Sequence, residues 1–258
     1  MSLQNLRPSS RAFSTLLLAP LLAGLLVAGP PGELGAQAAG QDELPPGLHL
    51  GLGLVFAQPT GEFRDYVDFG GGIRGFVRFD FEETGRLGLR IEFAAMTYGR
   101  ETKQVCLSET VGCRITVDLT TSNNIFVGGL GPELVVPVGF LELHGAVTGG
   151  FSYFSTTSSV QGTRDQEPFA SSENYGDGGW GWNWGGGFRI PIARGRIPVR
   201  LEAGLARQRN GRREYLTRGD IQELPGGEIQ LNPRRSDADF LMWTIGLTFG
   251  ATRTERGS

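Results

Sequence analysis

The sequence predicts an all-β protein, an eight-stranded antiparallel up-and-down transmembrane β-barrel. Three observations indicate this fold: apolar residues recur at every second position, short and long connections alternate, and aromatic residues gather near both ends of the apolar face. The net charge of −3 excludes a basic nucleic-acid-binding protein. Two cysteines and two histidines leave little room for a structural zinc site, which normally takes four such ligands. We therefore expect no metal and no cofactor.

The first 39 residues have the features of a secretory signal peptide. Arg7 and Arg11 precede an apolar run at 15–28, and Ala36-Gln37-Ala38 supplies a small-x-small cleavage pattern. The apolar run is shorter than the ~20 residues that a spanning helix needs. The predicted organisation is a signal peptide at 1–39, a short linker at 40–47, a barrel at 48–249 and a periplasmic tail at 250–258.

The predicted strands follow one another from Leu48 to Phe249. In the first, Leu50 and Leu52 point to one side and His49 and Gly51 to the other, the alternation expected of a strand with two different faces. A less regular strand at 115–136 changes phase near Gly128-Gly129, as a bulge would produce. The regular strands are predicted at 48–56, 73–81, 87–96, 141–153, 180–190, 199–205 and 241–249.

The connections alternate in length along the chain. Those at 82–86, 137–139 and 192–197 are short. The others are long and polar, at 58–70, 99–114, 159–179 and 207–237. An up-and-down barrel then has all short turns at one end and all long loops at the other, which is the plan of transmembrane β-barrels.

Aromatic residues mark two levels of the apolar face. One belt lies near the long loops and the other near the short turns, as membrane interfaces favour. An alternative is a soluble, lipocalin-like periplasmic barrel with an apolar cavity. The belt near the loops contains Trp180, Trp182, Trp184 and Trp243, and the belt near the turns contains Phe81, Phe140 and Phe249.

The opposite face carries charge near the short-turn ends. Four arginines and four acids nearly cancel, as a buried network must, because an unpaired buried charge is costly. Above them the inward positions are small or neutral, so we expect a plug at the base and a space that opens toward the outer loops; the alternative is that the charges only fill a narrow core. The predicted network is Arg78, Asp80, Arg90, Glu92, Glu142, His144, Arg189, Arg200 and Glu202.

The two cysteines lie in the second long connection. Cys106 and Cys113 flank a predicted hairpin tip in an exported protein, and disulfides form in such oxidising compartments. We expect them to form a disulfide.

Three stretches carry a resemblance to a known family. They are Pro59-Thr60-Gly61-Glu62-Phe63, Leu89-Arg90-Ile91-Glu92, and the closing strand from Trp243 to Phe249. The chain resembles the small bacterial outer-membrane β-barrel proteins of the OmpA, OmpX, OmpW and opacity-protein class, over nearly all of its mature length. It departs from them at the end, where Gly250–Ser258 follows the last aromatic residue.

The resemblance implies a location and partners. The location is the bacterial outer membrane, reached with a cleaved signal peptide. The partners are outer-membrane lipid, lipopolysaccharide and the barrel-assembly machinery, for a monomer that binds no nucleic acid.

The leading functional expectation is a non-enzymatic surface protein that serves envelope integrity, adhesion or ligand binding through its long loops. The alternative is passive transport of small hydrophobic molecules through the barrel. A lipid A-modifying enzyme is the third reading, but no serine or acid motif accompanies His49 or His144, so we assign no catalytic residue.

Overall fold

The protein is described by a computed structural model covering residues 45, 47–106, 116–162, 168, 170–195, 197–223 and 229–250. The barrel strands in this part of the chain are β1 Leu48–Pro59, β2 Gly70–Asp80, β3 Leu87–Cys106, β4 Thr116–Val138, β5 Leu141–Gly162, β6 Ala170–Ala193, β7 Val199–Arg209 and β12 Phe240–Phe249. These eight strands close into an antiparallel barrel in the ring order β1-β12-β7-β6-β5-β4-β3-β2, which confirms the predicted fold. The predicted signal peptide and the tail after Gly250 lie outside the described residues.

The first strand closes the ring by pairing with both the second and the last. Leu50 of β1 lies opposite Val77 of β2 on one side and Phe249 of β12 on the other. Because side chains alternate across a strand, this register puts the leucines of β1 on the outer wall and His49 in the lumen. Closure leaves no free strand edge within the ring.

Short turns gather at one end of the barrel, as predicted. Gly139 and Phe140 form the tightest turn, between β4 and β5, and Gly139 has the positive φ of +63° that favours glycine there. The residues 81–86 connect β2 to β3 at the same end. We call this the turn end and the opposite one the loop end.

Four strands extend past the ring at the loop end. β2 pairs with β3 only as far as Gly71 and Thr97, yet β3 and β4 remain paired up to Cys106 and Thr116. β5 and β6 extend similarly, to Val160 and Ala170. Much of 99–114 and 159–179 is therefore strand rather than the predicted loop, and the apolar alternation is missing there because threonine and serine take the place of apolar residues.

The predicted bulge at Gly128-Gly129 is wrong. β3 and β4 pair without a break from Leu87 opposite Leu134 to Thr97 opposite Asn124, and the irregularity follows at Tyr98. Two adjacent glycines have no side chains to indicate which face of the strand is apolar. The alternation is therefore interrupted there, although the strand itself is regular.

The last long connection has its own secondary structure. It contains two hairpins, one of β8 Arg212–Tyr215 with β11 Arg234–Asp237 and one of β9 Ile221–Glu223 with β10 Ile229–Leu231. The first long connection contains a 3-10 helix, Gly61–Asp65. β7 continues to Arg209, so Arg207 lies in the barrel wall and not in a loop as predicted.

The wall is apolar outside and polar inside. Outward side chains such as Leu52, Ile73 and Leu130 are about 60% exposed, while the charged side chains of Arg78 and Glu133 are almost fully buried. A monomeric soluble protein rarely exposes a contiguous apolar surface of this kind. Among the described residues no helix is long and apolar enough to cross a membrane.

Candidate functional site

The turn-end half of the lumen contains a network of ion pairs built around two carboxylates. Glu133 of β4 accepts hydrogen bonds from Arg90 Nη1 at 2.5 Å and Arg189 Nη2 at 2.7 Å. Arg78 Nε lies 3.2 Å from the same carboxylate, as an ion pair without hydrogen-bond geometry. Three guanidinium groups from three strands thus meet at one acid.

Glu202 of β7 is the second centre. It accepts from Arg189 Nε and from Arg74 Nη2, both at 2.7 Å, and from the Thr248 hydroxyl at 3.0 Å. Arg189 therefore bridges both acids with its two-sided donor fork. The network ties β2, β3, β4, β6, β7 and β12 together across the lumen.

Each remaining charge of the network also has a partner. Arg78 donates to Asp80 and, at 2.6 Å, to the carbonyl oxygen of Gly85 in the turn below. Arg200 donates to Glu142 at 2.8 Å. The balance is five arginines against five carboxylates, Arg74, Arg78, Arg90, Arg189 and Arg200 against Asp80, Glu92, Glu133, Glu142 and Glu202.

The upper boundary of the network is held by neutral side chains. Glu92 accepts from the Thr148 hydroxyl at 2.7 Å and from Asn183 Nδ2 at 3.0 Å. The Phe76 ring points into the lumen, and the Arg90 guanidinium carbon lies 3.6 Å from its centroid, within cation–π range. Gly51 on β1 makes room for this ring, since a Cβ there would lie 2.0 Å from it.

The two histidines belong to the same interior. His49 Nε2 lies 3.0 Å from the Asp80 carboxylate, and His144 Nε2 lies 3.9 Å from Glu202. Neither histidine ring pairs with a serine hydroxyl among the described residues. The geometry fits lumen filling better than a nucleophile and base.

The loop-end half of the lumen is filled by apolar and aromatic side chains. Phe63, from the 3-10 helix of the first long connection, packs against Tyr215 of β8 with ring centroids 5.0 Å apart. Around it stand Tyr98, Phe154 and Phe240 from the barrel strands, with centroids 5.9–6.4 Å from that of Phe63. We call these five residues the aromatic cluster.

Among the described residues, the part of the lumen directly above the network is packed by this cluster, and the expected space is not found there. Two outer connections fold inward over small lumenal residues, which the alternation of the strands could not reveal. Two voids beside Arg74, at the level of the network, measure only about 30 Å³ and 10 Å³. A larger cavity of about 290 Å³ instead opens at the turn end, beside His49, Arg86 and Arg200.

Hydrogen bonds lock the inward-folded connections to the rim. Thr60 donates from both its backbone and its hydroxyl to the carbonyl oxygen of Asp239, at 2.9 and 3.1 Å. Asn210 donates to the Asp239 carboxylate and to the Ala238 carbonyl oxygen. Tyr215 pairs with the Ser236 hydroxyl at 2.6 Å, and burial raises the pKa of Tyr215 to about 12.

The predicted belts lie on the outer wall. Trp180 is 79% exposed, Trp182, Trp184 and Trp243 are also exposed, and Phe249 is half-buried. Trp243 Nε1 donates to Gln58 at 3.2 Å. At the turn end, Phe81 and Phe140 are likewise exposed.

The predicted network, disulfide and metal content have different outcomes. All nine predicted network residues lie in the lumen, where the structure adds Arg74, Glu133 and Phe76. The predicted disulfide stays a prediction, because Cys113 lies outside the described residues. Among the described residues, no group of histidine, cysteine and acidic side chains could hold a metal ion.

Solved structures similar to this chain are small outer-membrane β-barrel proteins. Neisserial surface protein A is 8% identical, with a TM-score of 0.43, over 78% of this chain and 96% of its own. The attachment invasion locus protein Ail of Yersinia pestis is 12% identical, with a TM-score of 0.39, over 80% of this chain and 99% of its own. OprG of Pseudomonas aeruginosa is 13% identical, with a TM-score of 0.42, over 78% of this chain and 94% of its own.

These proteins belong to the class that the sequence resembles, and at this level of identity the similarity concerns the fold alone. No family model and no curated protein matches the sequence.

Proposed function

We propose that this chain is a non-enzymatic outer-membrane surface protein, in which a sealed barrel anchors an extracellular structure that contacts other molecules. The observation that carries this proposal is the double closure of the lumen. The ion-pair network closes the lumen above the turn-end cavity, and the aromatic cluster fills its loop-end half.

The distribution of side chains supports a membrane location. Exposed leucine, isoleucine and phenylalanine side chains surround the barrel, and tryptophans lie near its loop end. Transferring this wall from water into lipid is favourable at about 25 cal/mol for each Å² of apolar surface. The strands satisfy their own backbone hydrogen bonds, which hydrocarbon requires.

The extension of β3 to β6 supports a function outside the membrane. Past the ring, β3 runs from Thr97 to Cys106, which corresponds to about 30 Å of strand at ~3.3 Å per residue. The extension is rich in hydroxyl groups that pair across strands, as Thr102 does with Thr120 and Thr121 with Ser158. With the β8–β11 hairpin it forms a polar surface suited to adhesion or ligand binding.

Passive transport is less well supported by this geometry. A hydrophobic solute would have to displace the ion pairs of Glu133 and Glu202 or enter voids of about 30 Å³. Breaking a buried pair costs about 3–5 kcal/mol, so the lumen opposes such passage.

An epitope tag tests which end of the barrel faces outside. One variant carries the tag between β9 and β10, and its control carries the same tag in the turn after Phe81. On intact bacteria, an antibody should bind the first variant and not the second, whereas both should bind after the cells are opened. Equal labelling of both tags on intact cells, or labelling of the turn tag alone, would overturn the proposed orientation.

A further inference from the structure

Two arginines point outward from the barrel wall near its loop end. Arg207 and Arg209 occupy the same face of β7 as Leu201 and Leu205, and both are exposed. In the register, Arg207 lies between Trp184 of β6 and Leu241 of β12. An arginine thus stands among side chains that the proposed function puts against lipid.

Its height can be estimated from the strand. Arg207 lies eight residues above Val199, and at ~3.3 Å per residue and a tilt of ~40° that is about 20 Å. The apolar band of such barrels is ~25 Å tall. Arg207 therefore lies just below the loop-end interface, level with the tryptophans, and its long side chain can carry the guanidinium up to the headgroups.

The two arginines differ in how their charge is balanced. Arg209 Nε donates to the Asp239 carboxylate at 3.0 Å. The side chain of Arg207 makes no hydrogen bond or ion pair with any described residue. Its positive charge has no counter-charge among the described residues, and at the membrane interface the phosphate of a lipid can supply one.

The surroundings select the chemistry of that lipid. A guanidinium presents a planar fork of donors that matches the oxygens of a phosphate in a bidentate manner. Trp184 and Leu241 on either side offer apolar surface for an acyl chain below the phosphate. The second arginine, Arg209, adds positive charge two residues above.

We infer that Arg207, flanked by Trp184 and Leu241, is a binding site for the phosphate headgroup of an anionic lipid in the outward-facing leaflet. This inference rests on the proposed membrane location. It adds a specific lipid contact to the membrane-spanning barrel, on the side of the wall formed by β6, β7 and β12.

Spin-labelled lipids test this site directly. The wild-type protein is reconstituted in phosphatidylcholine vesicles that contain traces of spin-labelled phosphatidic acid or spin-labelled phosphatidylcholine. The motionally restricted fraction of each label gives its relative association with the protein. We expect phosphatidic acid to be preferred about fivefold, the factor for one arginine at an anionic lipid surface.

Variants of Arg207 and Arg100 show whether the lipid preference comes from the proposed site or from the overall positive charge of the protein. Arg207→Gln should bring the preference close to one, whereas Arg100→Gln, which removes an exposed arginine from the β3 extension, should leave it unchanged. Arg207→Leu should lose the preference while folding at least as well as the wild type, because leucine suits a lipid-facing position. The inference is overturned if the wild type shows no preference, or if the Arg207 and Arg100 variants lose it equally.

Failure of the membrane proposal gives a different result. A protein that does not span the bilayer would restrict neither label, whereas a spanning barrel without a phosphate site would restrict both equally. Added inorganic phosphate should not abolish the preference, because the acyl chain contributes to binding; displacement at millimolar phosphate would indicate a site for the free ion and overturn the lipid assignment.

Discussion

Replacing Glu133 by alanine removes the acid on which three arginines converge. The side chain of Glu133 is fully buried and accepts two hydrogen bonds, from Arg90 and Arg189. Arg90 keeps Glu92, Arg189 keeps Glu202, and Arg78 keeps Asp80, so no guanidinium loses every partner.

The expected cost follows from these contacts. Two charge-assisted hydrogen bonds are worth ~1.5–3 kcal/mol each, which sums to about 3–6 kcal/mol. Because each arginine keeps a second acid, we expect the lower half of this range, in line with the ~3–5 kcal/mol for breaking a buried ion pair. Glu133→Ala should therefore lower the free energy of unfolding by about 3–4 kcal/mol.

The assay is reversible urea unfolding in lipid vesicles, followed by tryptophan fluorescence, with the folded fraction checked by gel mobility before and after boiling. Glu142→Ala is the matched control, because it removes an acid that is partly exposed at the rim and pairs with Arg200. Its cost should be about 1 kcal/mol. A Glu133 variant that is no less stable than the Glu142 variant would refute the central role of Glu133.

Three further predictions concern the wall, the aromatic cluster and the cysteines. Val147→Arg should cost about 2–4 kcal/mol in vesicles, because this residue faces lipid, whereas Thr157→Arg, on the same face above the membrane, should cost little; equal costs would contradict the assigned faces. Phe63→Ala should cost about 3–5 kcal/mol by emptying the centre of the cluster, and an unchanged urea midpoint would argue that the connection does not fold inward. Mass spectrometry of unreduced peptides should find Cys106 linked to Cys113, with a stabilisation of only about 2 kcal/mol for so short a loop; two alkylatable thiols would remove this prediction.

The barrel could be predicted from the sequence because its determinants are local. Alternation along β1, as in Leu50 and Leu52 against His49 and Gly51, fixes which side chains face out, and the spacing of turns fixes the topology. Where both faces of a strand are apolar, the alternation disappears. On β4, inward Val127 and outward Phe126 obscure the period, so Glu133 was not recognised as lumenal.

The filling of the loop-end half depends on contacts between residues far apart in the chain. Phe63 occurs in a polar connection, and only the fold brings it to Tyr215 and Phe154. No local pattern encodes such packing. The position of Arg207 in the barrel wall was not predicted, because a charged residue after an apolar run is typical of the start of a loop. In the structure β7 continues for two more residues.

The central claim is that the lumen is sealed twice, and single-channel recording in planar bilayers tests it most directly. With folding verified by gel mobility, the wild type should give no stable conductance steps. A variant without the aromatic cluster, Phe63→Ala with Tyr215→Ala, should also stay silent, because Glu133 and Glu202 still hold the lower seal. Adding Glu133→Ala and Glu202→Ala should produce discrete conductance, whereas stable steps from the folded wild-type protein would contradict the sealed barrel.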